Sequence, residues 1–177
     1  KGDKMGIINF FKRIYFNSRM DWIKKLADKG YYKGALWECE KLMIFFPNFP
    51  SVHNELSFLY MGLNMPDISL LHAKKAICLS SKEHFAAFMN LGVASIHCGL
   101  QKEAMDAFDK AEKLKDQVPT LEYGKLLIFR AETACYLIEK NESYRDMIFG
   151  AFADIDKGER ILKTCISEDN GALFWLS

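Results

Sequence analysis

The sequence predicts an all-α protein, a right-handed α-solenoid of antiparallel helix hairpins. Three observations carry this. Apolar and small residues recur at helical spacing, turn-forming residues divide those stretches into pairs, and the pairs repeat every 34 or 35 positions.

The third pair is the clearest. Phe88, Leu91, Gly92 and Ser95 fall at i, i+3, i+4 and i+7, one face of a helix that Gly99 ends. Ala104, Phe108 and Ala111 mark one face of a second helix, with Leu114 closing the stripe. Two such helices joined by a short glycine-containing turn form a hairpin. Stepping back one pair carries Leu91 to Leu56 and then Trp22, and Gly92 to Ser57 and then Ile23. In the second helices Ala104 maps to Ser69 and Ala35, and Ala111 to Ala76 and Leu42. The stretches "GYYKGALWECEKLMIFFP" (30–47) and "GLQKEAMDAFDKAEKL" (99–114) share one order: a glycine, a polar turn, a small residue, then an amphipathic helix. Asn64-Met65-Pro66-Asp67 supplies the middle turn, and Pro47 ends the first unit.

On these residues the chain resembles the tetratricopeptide repeat family over about residues 16–118. Phe88, Leu91-Gly92, Ala104, Phe108 and Ala111 match in the third unit; Leu56, Tyr60 and Ala76 in the second; Gly30, Tyr32, Ala35 and Pro47 in the first, where Trp22-Ile23 replaces Leu-Gly. The expected organisation is an N-terminal helix or extension (1–15), three units (16–49, 50–84, 85–118), an atypical fourth hairpin of capping helices (119–166) and an apolar tail (167–177). Small residues at Gly92, Ala104 and Ala111 let paired helices approach at the short end of the usual separation of about 8–10 Å. In the last third, "TLEYGKLLIFRAETACYLIEK" reads as one long helix, and Ile148, Phe152, Ile155, Leu162 and Ile166 stripe another. Terminal repeats are atypical because one side meets water.

The resemblance implies that the first helix of each hairpin lines a concave groove for a partner peptide or helix. The residues so placed are Met20 and Lys24, then Asn54, Phe58 and Met61, then Met89, Val93, Ile96 and His97. Tyr123, Leu127 and Arg130 continue the strip. It is apolar and Met-rich, which suits an amphipathic helix or an extended apolar peptide. The alternative is that several of these residues are interhelix core or are covered by the protein's own tail. A carboxylate clamp of the kind that grips chaperone tails is not expected, since the corresponding places carry Met20, Lys24, Glu55, Ala86 and Asn90.

Both ends are apolar. "GIINFFKRIYF" (6–16) sets Ile7, Ile8, Phe11 and Ile14 on one helical face and Asn9, Lys12 and Arg13 opposite. It is expected to cover the edge of the first repeat, the alternative being an anchor to a membrane surface. "GALFWLS" (171–177) is expected to pack into its own groove or a neighbour's, the latter giving a homodimer.

Composition excludes several classes. The formal charge of +1 gives no general attraction for nucleic acid, although residues 1–30 hold eight Lys/Arg against three Asp/Glu and the segment from Glu139 holds five against eight. Five scattered cysteines without a C-x-x-C pair fit a reducing, cytoplasmic setting, with peripheral membrane association open. His53, His72, His84 and His97 make no metal-ligand spacing, and no phosphate-binding loop, dinucleotide fingerprint or nucleophile elbow is present. No catalytic residue, metal or cofactor is expected. The expected role is non-catalytic protein binding, as adaptor, scaffold or chaperone-like module. The alternatives are a membrane-surface assembly factor and the repeat part of a larger enzyme.

Overall fold

A computed structural model describes residues 2–168, with side chains described for 10–141 and 144–165. The helices are α1 (Gly2–Asp28), α2 (Tyr32–Phe45), α3 (Pro50–Gly62), α4 (Pro66–Leu79), α5 (Phe85–His97), α6 (Gln101–Glu112), α7 (Thr120–Lys140) and α8 (Ile148–Glu168). Short 3-10 turns at Lys115–Gln117 and Glu142–Met147 flank α7, and no strand occurs among the described residues.

One backbone device separates the helices of the first three hairpins. Gly30, Asn64 and Gly99 all adopt left-handed backbone, with φ of 76°, 57° and 74°. Their N–H groups donate to the carbonyls of Ala27, Met61 and Ile96 at 2.8, 2.9 and 3.0 Å. The next N–H groups, of Tyr31, Met65 and Leu100, donate to Leu26, Tyr60 and Ser95 at 2.9, 2.9 and 2.8 Å. This Schellman closure satisfies carbonyls that a helix end leaves bare. Asparagine tolerates the left-handed region better than other side-chain-bearing residues, so Asn64 stands where the other two units use glycine. Pro50 and Pro66 open α3 and α4 at positions where a missing N–H costs nothing.

Two compact units result, Lys1–Ser81 and Lys82–Ser177. In the first, α1 packs on α2, α2 on α3 and α3 on α4; Ile23, Ala35, Cys39, Leu42, Leu56 and Leu59 are buried at the joints. In the second, α5 packs on α6, α6 on α7 and α7 on α8, and α5 also meets α7.

Small residues serve these joints in different ways. A Cβ at Gly92 would lie 2.6 Å from Cζ of Phe108, so the glycine makes room for a ring within its own hairpin. That ring is fully buried and stacks on Phe129 of α7, centroids 6.2 Å apart. In the second hairpin Ser57 stands at the Gly92 position and Ser69 at the Ala104 position, both buried, and their hydroxyls lie 3.0 Å apart; Ser69 also donates to the Ser57 carbonyl at 2.7 Å. In the fourth, a Cβ on Gly158 of α8 would stand 3.2 Å from the Gly124 carbonyl oxygen of α7, which sets that pair at close backbone approach.

The structure differs from the sequence reading in several places. α1 runs unbroken across residues 15 and 16, so the extension and the first repeat helix are one element. Trp22 is 48% exposed, whereas Leu56 is buried and Leu91 half-buried, because α1 turns Met20, Ile23 and Ala27 inward. Phe152 is also exposed, because α8 turns Ala151 and Gly158 inward alongside the expected Ile155. The remaining repeat positions, Ala35, Ala76, Phe88, Ala104 and Ala111, are buried. The apolar end of the tail, 169–177, and the side chains of Ile7 and Ile8 lie outside the described residues.

Candidate functional site

In residues 1–81 the outer side of α3 holds Phe58 in water, 43% exposed, with Asn54 and Met61 half-buried beside it. Tyr32 of α2 backs the Phe58 ring edge-on at 6.3 Å, and its own ring fills the space above Gly62, where a Cβ would sit 2.6 Å away. Lys24 of α1 is exposed near the buried Glu55. Burial pushes the Glu55 carboxyl above its usual range; Lys24 pulls against that shift and Asp28 adds to it.

In residues 82–177, α5 presents Val93 and Ile96 half-buried and His97 exposed, and α7 presents Tyr123 half-buried. Three residues expected on this strip are core instead. Met20 shares the inward face of α1 with Ile23 and Ala27, while Met89 and Leu127 are buried in α5 and α7. None of the three is open to a partner. Methionine and leucine at helix–helix joints are read equally well as core or groove until burial is known.

Arg130 is engaged within the chain. Its Nε and Nη2 donate to Asp154 Oδ2 and Oδ1 at 2.7 and 2.9 Å, and Glu112 and Asp109 approach Nη1 at 3.7 Å. Burial works against the guanidinium charge, but Asp154, with Glu112 and Asp109, outweighs it and raises the Arg130 pKa. Tyr123 donates to Glu112 at 2.9 Å and accepts from Lys157 at 2.8 Å. Arg130 and Tyr123 therefore tie α6, α7 and α8 together.

The middle hairpin contains a polar pair that the sequence reading left scattered. His53 Nδ1 and His72 Nδ1 lie 2.9 Å apart, and His53 Nε2 is 2.8 Å from the Pro47 carbonyl. A carbonyl only accepts, so Nε2 of His53 carries a proton, its Nδ1 accepts, and Nδ1–H of His72 donates. The ring centroids are 5.2 Å apart with planes at 21°, the spacing of two rings joined end to end by that hydrogen bond. Tyr60 stacks on His72 at 5.5 Å and donates to Glu40 at 3.1 Å. Burial depresses both histidines below 6.5, His72 to about 4, with His53 and Lys75 adding to the effect on His72. Among the described residues no group of three or more His, Cys, Asp or Glu side chains converges as metal ligands would. Repeat spacing could have found this pair. His53 and His72 each lie 35 positions before Phe88 and Ala107, and 34 after Arg19 and Glu38, which form an ion pair in the first hairpin. One pair of positions thus holds an ion pair, an imidazole hydrogen bond and two buried apolar residues in successive hairpins.

Solved structures share this architecture. A crystal structure of MamA protein aligns at a TM-score of 0.53 and 23% identity, covering 92% of this chain and 96% of that one. YrrB, described as a TPR protein with an unusual peptide-binding site, aligns at 0.54 and 13% identity over 86% of each chain. The chain has the tetratricopeptide-repeat fold. A chain of the Naa15/Naa10 complex bound to HypK-THB aligns at 0.56 and 13% identity, this tetratricopeptide-type array covering 26% of it. No protein-family model matches the sequence, and no curated protein matches it either.

Proposed function

We propose that this chain is a non-catalytic protein-binding module, and that its first-helix faces receive an amphipathic helix or an extended apolar peptide. The observation that carries the reading is Phe58: a large aromatic ring held 43% exposed on a first helix, braced from behind by Tyr32 and flanked by Met61 and Asn54. A scaffolded, half-open aromatic side chain is the type of anchor that dominates binding energy at protein interfaces. Val93, Ile96 and His97 of α5 offer a second face of the same kind. The peptide-binding site ascribed to YrrB and the HypK segment bound to Naa15/Naa10 support the class of ligand.

The test is selection from a displayed library of helical and extended peptides against the full chain, followed by titration of the selected peptides. Phe58→Glu is expected to weaken them by tenfold or more, about 1.4 kcal/mol, without lowering the melting temperature. Peptides that bind the Phe58→Glu and Ile96→Glu variants as tightly as the parent would remove both faces as the binding surface.

A further inference from the structure

We propose that the N-terminal half of α1 docks on an anionic lipid surface. α1 has 27 residues and its partner α2 has 14. The end of α2 meets α1 at Tyr15 and Phe16, where Tyr15 contacts Phe45 at 6.5 Å and Phe16 contacts Phe46 at 5.1 Å. Upstream of Tyr15, α1 therefore runs past the end of its own hairpin for about 20 Å, at about 1.5 Å per residue. On this overhang Phe10, Phe11 and Ile14 are 51%, 63% and 48% exposed, and Tyr15 at its base is 46% exposed. They fall at i, i+1, i+4 and i+5, a single face. A contiguous apolar face of this kind marks an interaction site rather than ordinary surface.

Charge selects the occupant. From Lys4 through Met20 the sequence contains no Asp or Glu and four basic residues, Lys4, Lys12, Arg13 and Arg19. Arg19 pairs with Glu38, while Lys12 and Arg13 are exposed. A second copy docked through the same stretch would offer its basic residues no negative charge to pair with. A bilayer with acidic headgroups presents an apolar interior and negative charge together. Phenylalanine and tyrosine rings settle at the headgroup boundary, and Lys and Arg stems lie along it with their charges outward. Among the described residues no helix is long and apolar enough to cross a membrane, so the contact is with the surface. The face lies on a different helix from Phe58 and its neighbours, so this proposal and the peptide-binding reading fail separately.

Co-sedimentation of the full chain with vesicles tests it, using phosphatidylcholine alone and phosphatidylcholine with about a third phosphatidylserine. Partition is expected to be roughly tenfold or more stronger on the acidic vesicles and to fall as salt is added. Phe10→Ser/Phe11→Ser and Lys12→Glu/Arg13→Glu should each abolish it with the melting temperature unchanged; if the first pair melts lower, the charge reversal decides. The proposal is overturned if the chain stays in solution with both vesicles or partitions equally on both. It is equally overturned if the charge-reversed variant sediments like the parent, or if light scattering shows a dimer that Phe10→Ser/Phe11→Ser converts to monomer.

Discussion

Identical substitutions at two glycines should have opposite signs. Gly92→Ala places a methyl 2.6 Å from a Phe108 ring that is fully buried and stacked on Phe129, so the ring cannot swing away. The overpacking costs about 1–3 kcal/mol against roughly 1 kcal/mol gained in helix propensity. Gly34→Ala in α2 meets nothing within 4 Å and has only the gain, up to about 1 kcal/mol. In thermal denaturation Gly92→Ala should melt lower and Gly34→Ala slightly higher, by about 2–4 °C per kcal/mol. Equal shifts would mean that Phe108 does not occupy the Gly92 notch. The His53–His72 pair sets a pH dependence. Both histidines resist protonation in the folded chain and accept it near 6.5 when unfolded. Their full contribution is present above about pH 6.5, and it is lost as pH falls toward about 4, because over that range the unfolded chain binds more protons. Glu55 works oppositely, since its raised carboxyl pKa lets the folded chain take up a proton first as pH falls. The melting temperature of the parent should drop across this range, and in His72→Gln it should drop less. An unchanged slope would show that the imidazole pair does not control acid sensitivity.

At the level of elements, the small positions of the second helices carry the clearest expectation. Ala104 is fully buried where α6 meets α5, and Ala104→Leu should overpack that joint by about 1–3 kcal/mol, read as a lower denaturation midpoint. A neutral result would mean that the two helices are not held together there. This joint was legible in the sequence because three units superimpose. Gly30, Asn64 and Gly99 stand 34 and 35 residues apart and share one left-handed turn, so turn chemistry and helix period agreed. What escaped was chemistry that depends on which neighbour fills a position. Ser57 and Ser69 read as small replacements, yet their hydroxyls hydrogen-bond each other across the hairpin. The stripe through Phe152 read as an inward face, yet α8 closes on α7 through Gly158 and Ala151. Met20, Met89 and Leu127 matched the periodicity of a binding strip because one helical face serves both as joint and as lining. Arg130 looked available because Asp154, its partner, lies 24 residues away on another helix. Periodicity fixes the direction of a side chain but not what meets it there.

Across the whole chain, stability should be distributed as in other repeat arrays, where each hairpin depends chiefly on the ones it touches. α5, α6 and α7 share the Phe108–Phe129 stack, while the joints of α1 and α2 are filled by their own cluster around Ile23, Cys39 and Leu42. Cys39 illustrates how closed that cluster is, since burial, with Glu55 and Glu40, pushes its thiol up to about 12. Phe108→Ala removes a fully buried ring, and such truncations cost about 3–5 kcal/mol. If the array behaves as coupled neighbours, amide hydrogen exchange in this variant should accelerate most in α5–α7 and much less in α1 and α2. The gradient is the decisive quantity, because the total loss of stability would be similar for any tightly packed phenylalanine. A uniform loss of protection from α1 to α8 would instead make the chain one cooperative block, and hairpin-by-hairpin reasoning about its variants would then lose its basis.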